Sequence, residues 1–291
     1  MVKGSYVLVS RNDKYCGNAF SRLTNTLNFL GESLNKTENL ENSECILVDW
    51  GSEKPLHKEL ILNSYIRKIL KVVYVPNHIS KFYQKDSPFS EVHAMNCGFR
   101  NISGKYFMRI DQDTLVGYRF INWFYNEFKE VDYGFDWPLS AFSGRRDLTK
   151  DQSKQFKKII GDKKLCYEVP IVHPINYHNC IGKLGQIVPF YNSSVGIMIV
   201  ERNLYESEKG FNEDFIYMNQ MDGEFMNRIS SKHLVYNLSQ KIDNDFYHQY
   251  HNQIMQRERK TNDVNIKRGK YTNTNKDNWG LKDEKLEIIN F

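Results

Sequence analysis

Four short apolar runs constrain this chain most. Tyr6–Ser10 (YVLVS), Cys45–Val48 (CILV), Val72–Val75 (VVYV) and Tyr106–Ile110 (YFMRI) recur along its first part, with helical spacing between them. The runs are continuous rather than alternating, which means burial on both faces. Between the first two, Phe20, Leu23, Leu27, Leu30 and Leu34 form a helical stripe within residues 18–34. Further helical segments are expected at about 56–70 and at Glu91–Asn101, and Gly104 marks the turn into the fourth strand. Parallel neighbours need long crossovers, so this alternation predicts an α/β fold with a mostly parallel central sheet and helices on both faces.

The second half is less regular. Residues 118–130 read as an aromatic helix, a strand is expected at about 195–200, and a helix carrying Phe225 and Ile229 at about 221–231. Residues 143–185 are polar and broken by Pro170, Pro174, Gly182 and Gly185, which reads as loops of a variable substrate region. From about 241 the chain reads as a polar tail with short elements. With no internal repeat, the expectation is one domain: a nucleotide-binding half (1–116), an acceptor half (117–240) and the tail (241–291).

Charge narrows the function classes. Forty basic and 35 acidic side chains are mixed along 291 residues, for a net charge of +5. No basic block exists, which argues against a nucleic-acid binder and fits a protein that handles small anionic ligands. Cys16, Cys45, Cys97, Cys166 and Cys180 are widely spaced with no CxxC pair, so reduced thiols are expected rather than a disulfide framework or a zinc knuckle. No signal-like apolar segment and no run near the ~20 residues of a membrane span appear. A soluble, cytoplasmic protein is the expectation.

In open parallel sheets, ligands bind beyond the carboxyl ends of the strands. Polar groups collect there: Ser10, Arg11, Asn12 and Asp13 after strand one, Asp49 after strand two, and Asp111–Gln112–Asp113 after strand four. Neither GxGxxG nor a phosphate-loop GxxxxGK[ST] is present, which weakens a dinucleotide or P-loop reading. Two carboxylates at i and i+2 of an extended strand end point to one side. Such a pair can set one carboxylate on a hard divalent cation and the other on a ribose or a second metal-bound group, with Gln112 expected to point away and to tolerate substitution better. Asn96 and Arg100, on the preceding helix, are candidate contacts to the same ligand.

The segments VSRNDKYCGN, ILVDWGS and SEVHAMNCGFRNISGKYFMRIDQDTLV, in this order, resemble the A-type (GT-A) fold of nucleotide-sugar glycosyltransferases of the broad inverting family 2. That family's helix pattern is met by Ala94, Asn96, Gly98 and Gly104, with Ser103 replacing the usual small residue. The match runs over residues 5–116. Further on, KGFNEDFIYMNQMDGEFMNRI is similar to the family's catalytic segment through Gly210, Phe211, Glu213, Asp222, Glu224 and Arg228. Asn219 stands where glycine is usual and Met221 where a first acid is usual.

The resemblance implies a metal-dependent transfer of a sugar from a UDP-sugar to an acceptor hydroxyl of a glycan or other molecule, with inversion. Asp222 falls on the catalytic base, with Glu224 as a helper or structural acid. Ser10, Arg11, Asn12, Asp49, Asn96, Arg100, Asp111 and Asp113 fall around the nucleotide, with Asp49 at the base and Asp111 at the ribose. Mn²⁺ or Mg²⁺ would sit on Asp113 and a later histidine, His248 first and His251 second. Arg145–Arg146–Asp147 and Asn192–Ser193–Ser194 are assigned to the sugar or acceptor site, and Trp279 to anchoring the tail. Two other readings stay open: a sugar-phosphate nucleotidyltransferase, and a non-catalytic nucleotide- or glycan-binding module that kept the fold.

Overall fold

Every residue of β1 (Gly4–Ser10) and β2 (Ser43–Trp50) is buried, as continuous apolar runs demand. They pair in parallel, as do β2 with β3 (Leu70–Val75) and β1 with β4 (Tyr106–Arg109). These four strands form the expected parallel block. The computed structural model describes residues 2–128, 140–169, 195–217, 221–233, 235–239, 241–252 and 275–291.

The helices fill the crossovers. α1 (Ala19–Lys36) buries Leu23, Leu27, Leu30 and Leu34, each worth roughly 1.5–3 kcal/mol of burial. The segment expected to be one helix at 56–70 is two single turns, α2 (Leu56–Glu59) and α3 (Ser64–Arg67). Asn63 breaks it: its side chain accepts from the Tyr65 and Ile66 N–H groups and caps a new start. α4 (Asn77–Gln84) and α5 (Glu91–Arg100) follow β3.

After β4 come β5 (Thr114–Val116), α6 (Tyr118–Asn122), a π turn at Trp123–Glu127, β6 (Ser140–Gly144) and β7 (Arg146–Asp147). The polar stretch read as loops instead starts with α7 (Lys150–Lys154), α8 (Phe156–Gly161) and α9 (Lys163–Glu168). The overlooked signal is a capping box, Thr149 with Gln152. β8 (Val195–Glu201), α10 (Arg202–Ser207), α11 (Met221–Ser230), β9 (Tyr236–Asn237), β10 (Phe246–His248) and β11 (Glu287–Asn290) complete the described elements.

The main sheet runs β11-β3-β2-β1-β4-β8-β6-β9, and β5-β10-β7 form a small second sheet. β8 lies antiparallel to both β4 and β6, while β11 pairs antiparallel with β3. The segment after 241 is therefore not a simple tail. It supplies the central strand of the small sheet and an edge strand of the large one. Trp279 anchors it, buried against Phe99 and Tyr205.

Both faces of the main sheet are covered. Val7, Val48 and Phe107 pack with α5, α10 and α11 on one face, and Tyr6, Leu47 and Tyr106 with α1 and α6 on the other. The family-like helix pattern in α5 serves this packing. A Cβ on Gly98 would meet Val7 Cγ1 at 2.4 Å, so only glycine lets α5 lie this close to β1. No helix among the described residues is long and apolar enough to cross a membrane.

Candidate functional site

β4 stops at Arg109, and Asp111–Gln112–Asp113 form a turn rather than an extended end. The Thr114 N–H closes it on the Asp111 carbonyl at 3.1 Å. The two carboxylates therefore diverge, which corrects the expectation that they share one side. Asp111 turns back to two arginines: Oδ1 lies 2.7 Å from Arg109 Nη2, and Oδ2 accepts from Arg145 Nη1 at 3.0 Å. Asp113 turns toward the small sheet. Gln112, expected to point away, accepts a hydrogen bond from the Ser10 hydroxyl and ties the ends of β1 and β4 together.

Strand pairing brings the histidines to Asp113. β10 runs antiparallel to β5, with His248 opposite Thr114, and parallel to β7, with His248 opposite Asp147. Asp113 Oδ1 lies 3.3 Å from His248 Nε2, and Oδ2 3.5 Å from His251 Nε2. The two Nε2 atoms are 3.2 Å apart. Gln249 locks this segment in place: its N–H donates to the Asp113 carbonyl at 3.0 Å, and its amide bonds the Arg22 carbonyl and Thr26 on α1.

Asp113, His248 and His251 offer ligand atoms that all lie within 4.8 Å of one another. One carboxylate and two imidazoles converging on one point are a donor set that fits a borderline divalent transition metal better than Mg²⁺. Burial pushes Asp113 up, but contacts with His248, His251 and Arg145 outweigh it and hold the carboxyl at about 2. Burial pushes His248 down, but Asp113 and Asp147 outweigh it and raise the imidazole to about 9. Burial lowers His251, and the charge of His248 adds to that effect. His248 and Arg145 thus give the charged Asp113 carboxylate a favourable surrounding. Arg22 Nε, 3.4 Å from Asp113 Oδ2, adds to it.

A second cluster sits beside the first, around Arg109. This guanidinium is only 5% exposed. It donates to Glu91 at 2.8 Å, lies 2.7 Å from Asp111, and reaches Asp222 Oδ2 at 3.5 Å. Asp222 lies in the first turn of α11, with its side chain 27% exposed. Burial raises the Glu91 carboxyl, and the charges of Asp111 and Asp222 add to the rise against the pull of Arg109. Neither Arg109 nor Glu91 was legible as a site residue. The available signal was a charged side chain inside an apolar strand, two residues before Asp111.

The rest of the catalytic-like segment is structural. Glu224 is buried and paired with Arg228 at 2.7 Å, while Arg228 also bonds the Glu208 and Gly210 carbonyls. Glu224 is thus part of a buried ion-pair network with Arg228. Met221, where an acid is usual, packs in the core. Asn219 and Asn192–Ser194 lie outside the described residues.

The expected nucleotide contacts divide. Ser10, Arg11 and Asn12 stand at the end of β1. Arg11 is paired with Asp13 at 2.7 Å, and the Asn12 N–H donates to Ser52 at 2.7 Å. Asp49 is fully buried at the end of β2, where its Oδ2 accepts from the Leu56 N–H at 2.8 Å. Asn96 is a correction. Its amide is buried and bonds Tyr205, both backbone groups of Phe211, and Glu213, leaving nothing for a cofactor. Arg100 is another: it lies 3.8 Å over the Trp279 ring and donates to the Trp279 carbonyl. In the 145–147 stretch, Arg145 and Asp147 join the site. Arg146 is instead buried against Asp243 and the Val169 carbonyl.

No family model matches the chain, and no curated protein matches it by sequence. Solved structures do. The chain is similar to S. aureus TarS 1–349, with a TM-score of 0.52 at 15% identity, covering 85% of this chain and 60% of that one. The same protein in complex with UDP gives 0.52 at 15% identity, over 86% and 61%. S. aureus TarS over its longer chain gives 0.51 at 14% identity, over 86% and 37%. These neighbours are glycosyltransferases. The fold is GT-A-like. In this fold the Asp111–Asp113 turn and the start of α11 lie beyond the carboxyl ends of the parallel strands, where ligands of open sheets bind. The chain spans about 60% of the length of TarS 1–349.

Proposed function

We propose that this chain is a metal-dependent, inverting glycosyltransferase that takes a sugar from a UDP-sugar and passes it to a hydroxyl of a glycan or other acceptor. The observation that carries this reading is the bridge made by Arg109. It joins Asp111 of the strand-end turn to Asp222 of α11, beside the Asp113–His248–His251 cluster. The complex of TarS with UDP supports uridine as the nucleoside of the donor.

Asp222 is the base. Its partly exposed carboxylate takes the proton of the acceptor hydroxyl. The oxygen forms a bond to the anomeric carbon from the face opposite the diphosphate. The carbon–oxygen bond to the diphosphate breaks, and UDP leaves with the electron pair. A single displacement of this kind inverts the configuration. Arg109 keeps Asp222 placed, and Arg145 supplies a second positive group beside Asp111. Ser10, Arg11 and Asn12 border the nucleoside, and Asp111 takes the ribose. A divalent cation held by Asp113, His248 and His251, Mn²⁺ before Mg²⁺, would neutralise charge growing on the diphosphate.

The test is transfer from a panel of UDP-sugars with Mn²⁺. Asp222→Asn is expected to lower transfer about a hundred- to ten-thousand-fold, with UDP affinity unchanged. Full transfer by this variant refutes the assignment.

A further inference from the structure

His248 has a different carboxylate on each ring nitrogen. Nε2 faces Asp113 within the ligand cluster, and Nδ1 lies 3.2 Å from Asp147 Oδ1 on the other side of the ring. Backbone pairing fixes both neighbours. β10 sits between β5 and β7, so the residue opposite His248 is Asp147 on one side and Thr114, next to Asp113, on the other. Asp147 is not among the clustered ligand atoms. Its Oδ1 also lies 3.2 Å from Arg145 Nε, and Arg145 Nη1 in turn bonds Asp111 at 3.0 Å.

Resting on the metal reading above, we propose that Asp147 is a positioning residue for the cation site. It holds the His248 proton on Nδ1 and so leaves the Nε2 lone pair facing the cation. An imidazole binds a metal through one nitrogen only, and the partner of the other nitrogen selects the tautomer and the ring orientation. Asp147 is the described carboxylate on that nitrogen. Arg145 keeps Asp147 in place and links it to Asp111. One strand register thus couples the cation ligand, its orienting carboxylate and the first aspartate of the turn.

The experiment is calorimetric titration of the full chain with Mn²⁺ alone, without nucleotide. Wild type is compared with Asp147→Ala, Asp147→Asn and Asp113→Ala, and the unfolding temperature of each metal-free protein is recorded. Asp147→Ala is expected to weaken Mn²⁺ binding about 10- to 100-fold, with an unfolding temperature close to wild type. Asp147→Asn keeps an acceptor oxygen without the charge and is expected to weaken binding severalfold. Asp113→Ala, which loses a ligand, is expected to abolish it. Wild-type affinity in Asp147→Ala, or in Asp147→Asn should the alanine variant not fold, overturns the proposal while leaving the metal site standing. Wild-type affinity in Asp113→Ala overturns the metal reading itself and this inference with it.

Discussion

Removing the guanidinium of Arg109 tests both the packing and the chemistry of the site. Arg109→Met keeps the length of the side chain and deletes its charge. Glu91, Asp111 and Asp222 then face one another without the cation that lies 2.8, 2.7 and 3.5 Å from them. Removing one partner of a buried ion pair costs about 3–5 kcal/mol. Asp111 and Asp222 keep 22% and 27% of their side chains exposed, and solvent screens them in part, so a loss of about 2–4 kcal/mol is expected here. An unfolding entropy of about 2.1 cal/mol/K per residue over 291 residues gives about 0.6 kcal/mol per degree. The expected fall in Tm is therefore about 3–7 °C, read by scanning calorimetry without metal. The gap to wild type should narrow as pH falls. The Glu91 carboxyl is already raised by burial and by its acidic neighbours, so it takes up a proton readily and relieves the repulsion. Transfer should fall about a hundredfold, the loss expected from misplacing a catalytic group by about an ångström. Arg109→Lys should recover stability better than activity, because one ammonium does not span three carboxylates. A Tm within 1 °C of wild type for Arg109→Met, at neutral pH, would refute the reasoning.

Other outcomes follow from the same geometry. Chelation should remove transfer, and Mn²⁺ should restore it more fully than Mg²⁺, because two imidazoles suit the softer ion; equal recovery would exclude the histidines as ligands. Asn96→Ala should cost about 3 kcal/mol in urea unfolding, because its buried partners lose their bonds; weaker UDP binding at unchanged stability would instead make it a cofactor contact. His93 is held down to about 4, chiefly by burial. The unfolded chain therefore binds this proton first, and the stability His93 contributes is complete above about 6.5 and lost as pH falls toward 4. The loss is about 3 kcal/mol in all, and His93→Gln should flatten that slope in unfolding curves taken between pH 4 and 7.

The identities of the site residues and the frame that carries them were legible in different degrees. The parallel block was legible because burial on both faces leaves a chemical mark, continuous apolar runs such as CILV and VVYV. Asp113, His248, His251 and Asp222 were singled out through the resemblance in segment order, and the fold brings the ligand atoms of the first three within 4.8 Å of one another. Glu91 and Arg109 were not, since nothing in a linear pattern tells an arginine that bridges three carboxylates from one that snorkels to solvent. Asn96 and Arg100 were misassigned for the converse reason. A polar residue on α5 serves equally well as an internal staple, and only the position of Phe211 and Trp279 distinguishes the two.

By itself, the sequence determined the fold class and the residue types at the carboxyl edge, because both follow from local periodicity and from side-chain chemistry. Only the tertiary structure decided how those residues are shared out. The turn closed by Thr114 sends Asp111 and Asp113 in different directions. The pairing of β10 with both β5 and β7 carries His248 across more than a hundred residues of chain to stand between Asp113 and Asp147. Such placements depend on contacts distant in sequence, and a strand of three residues is too short for its own pattern to announce its partners.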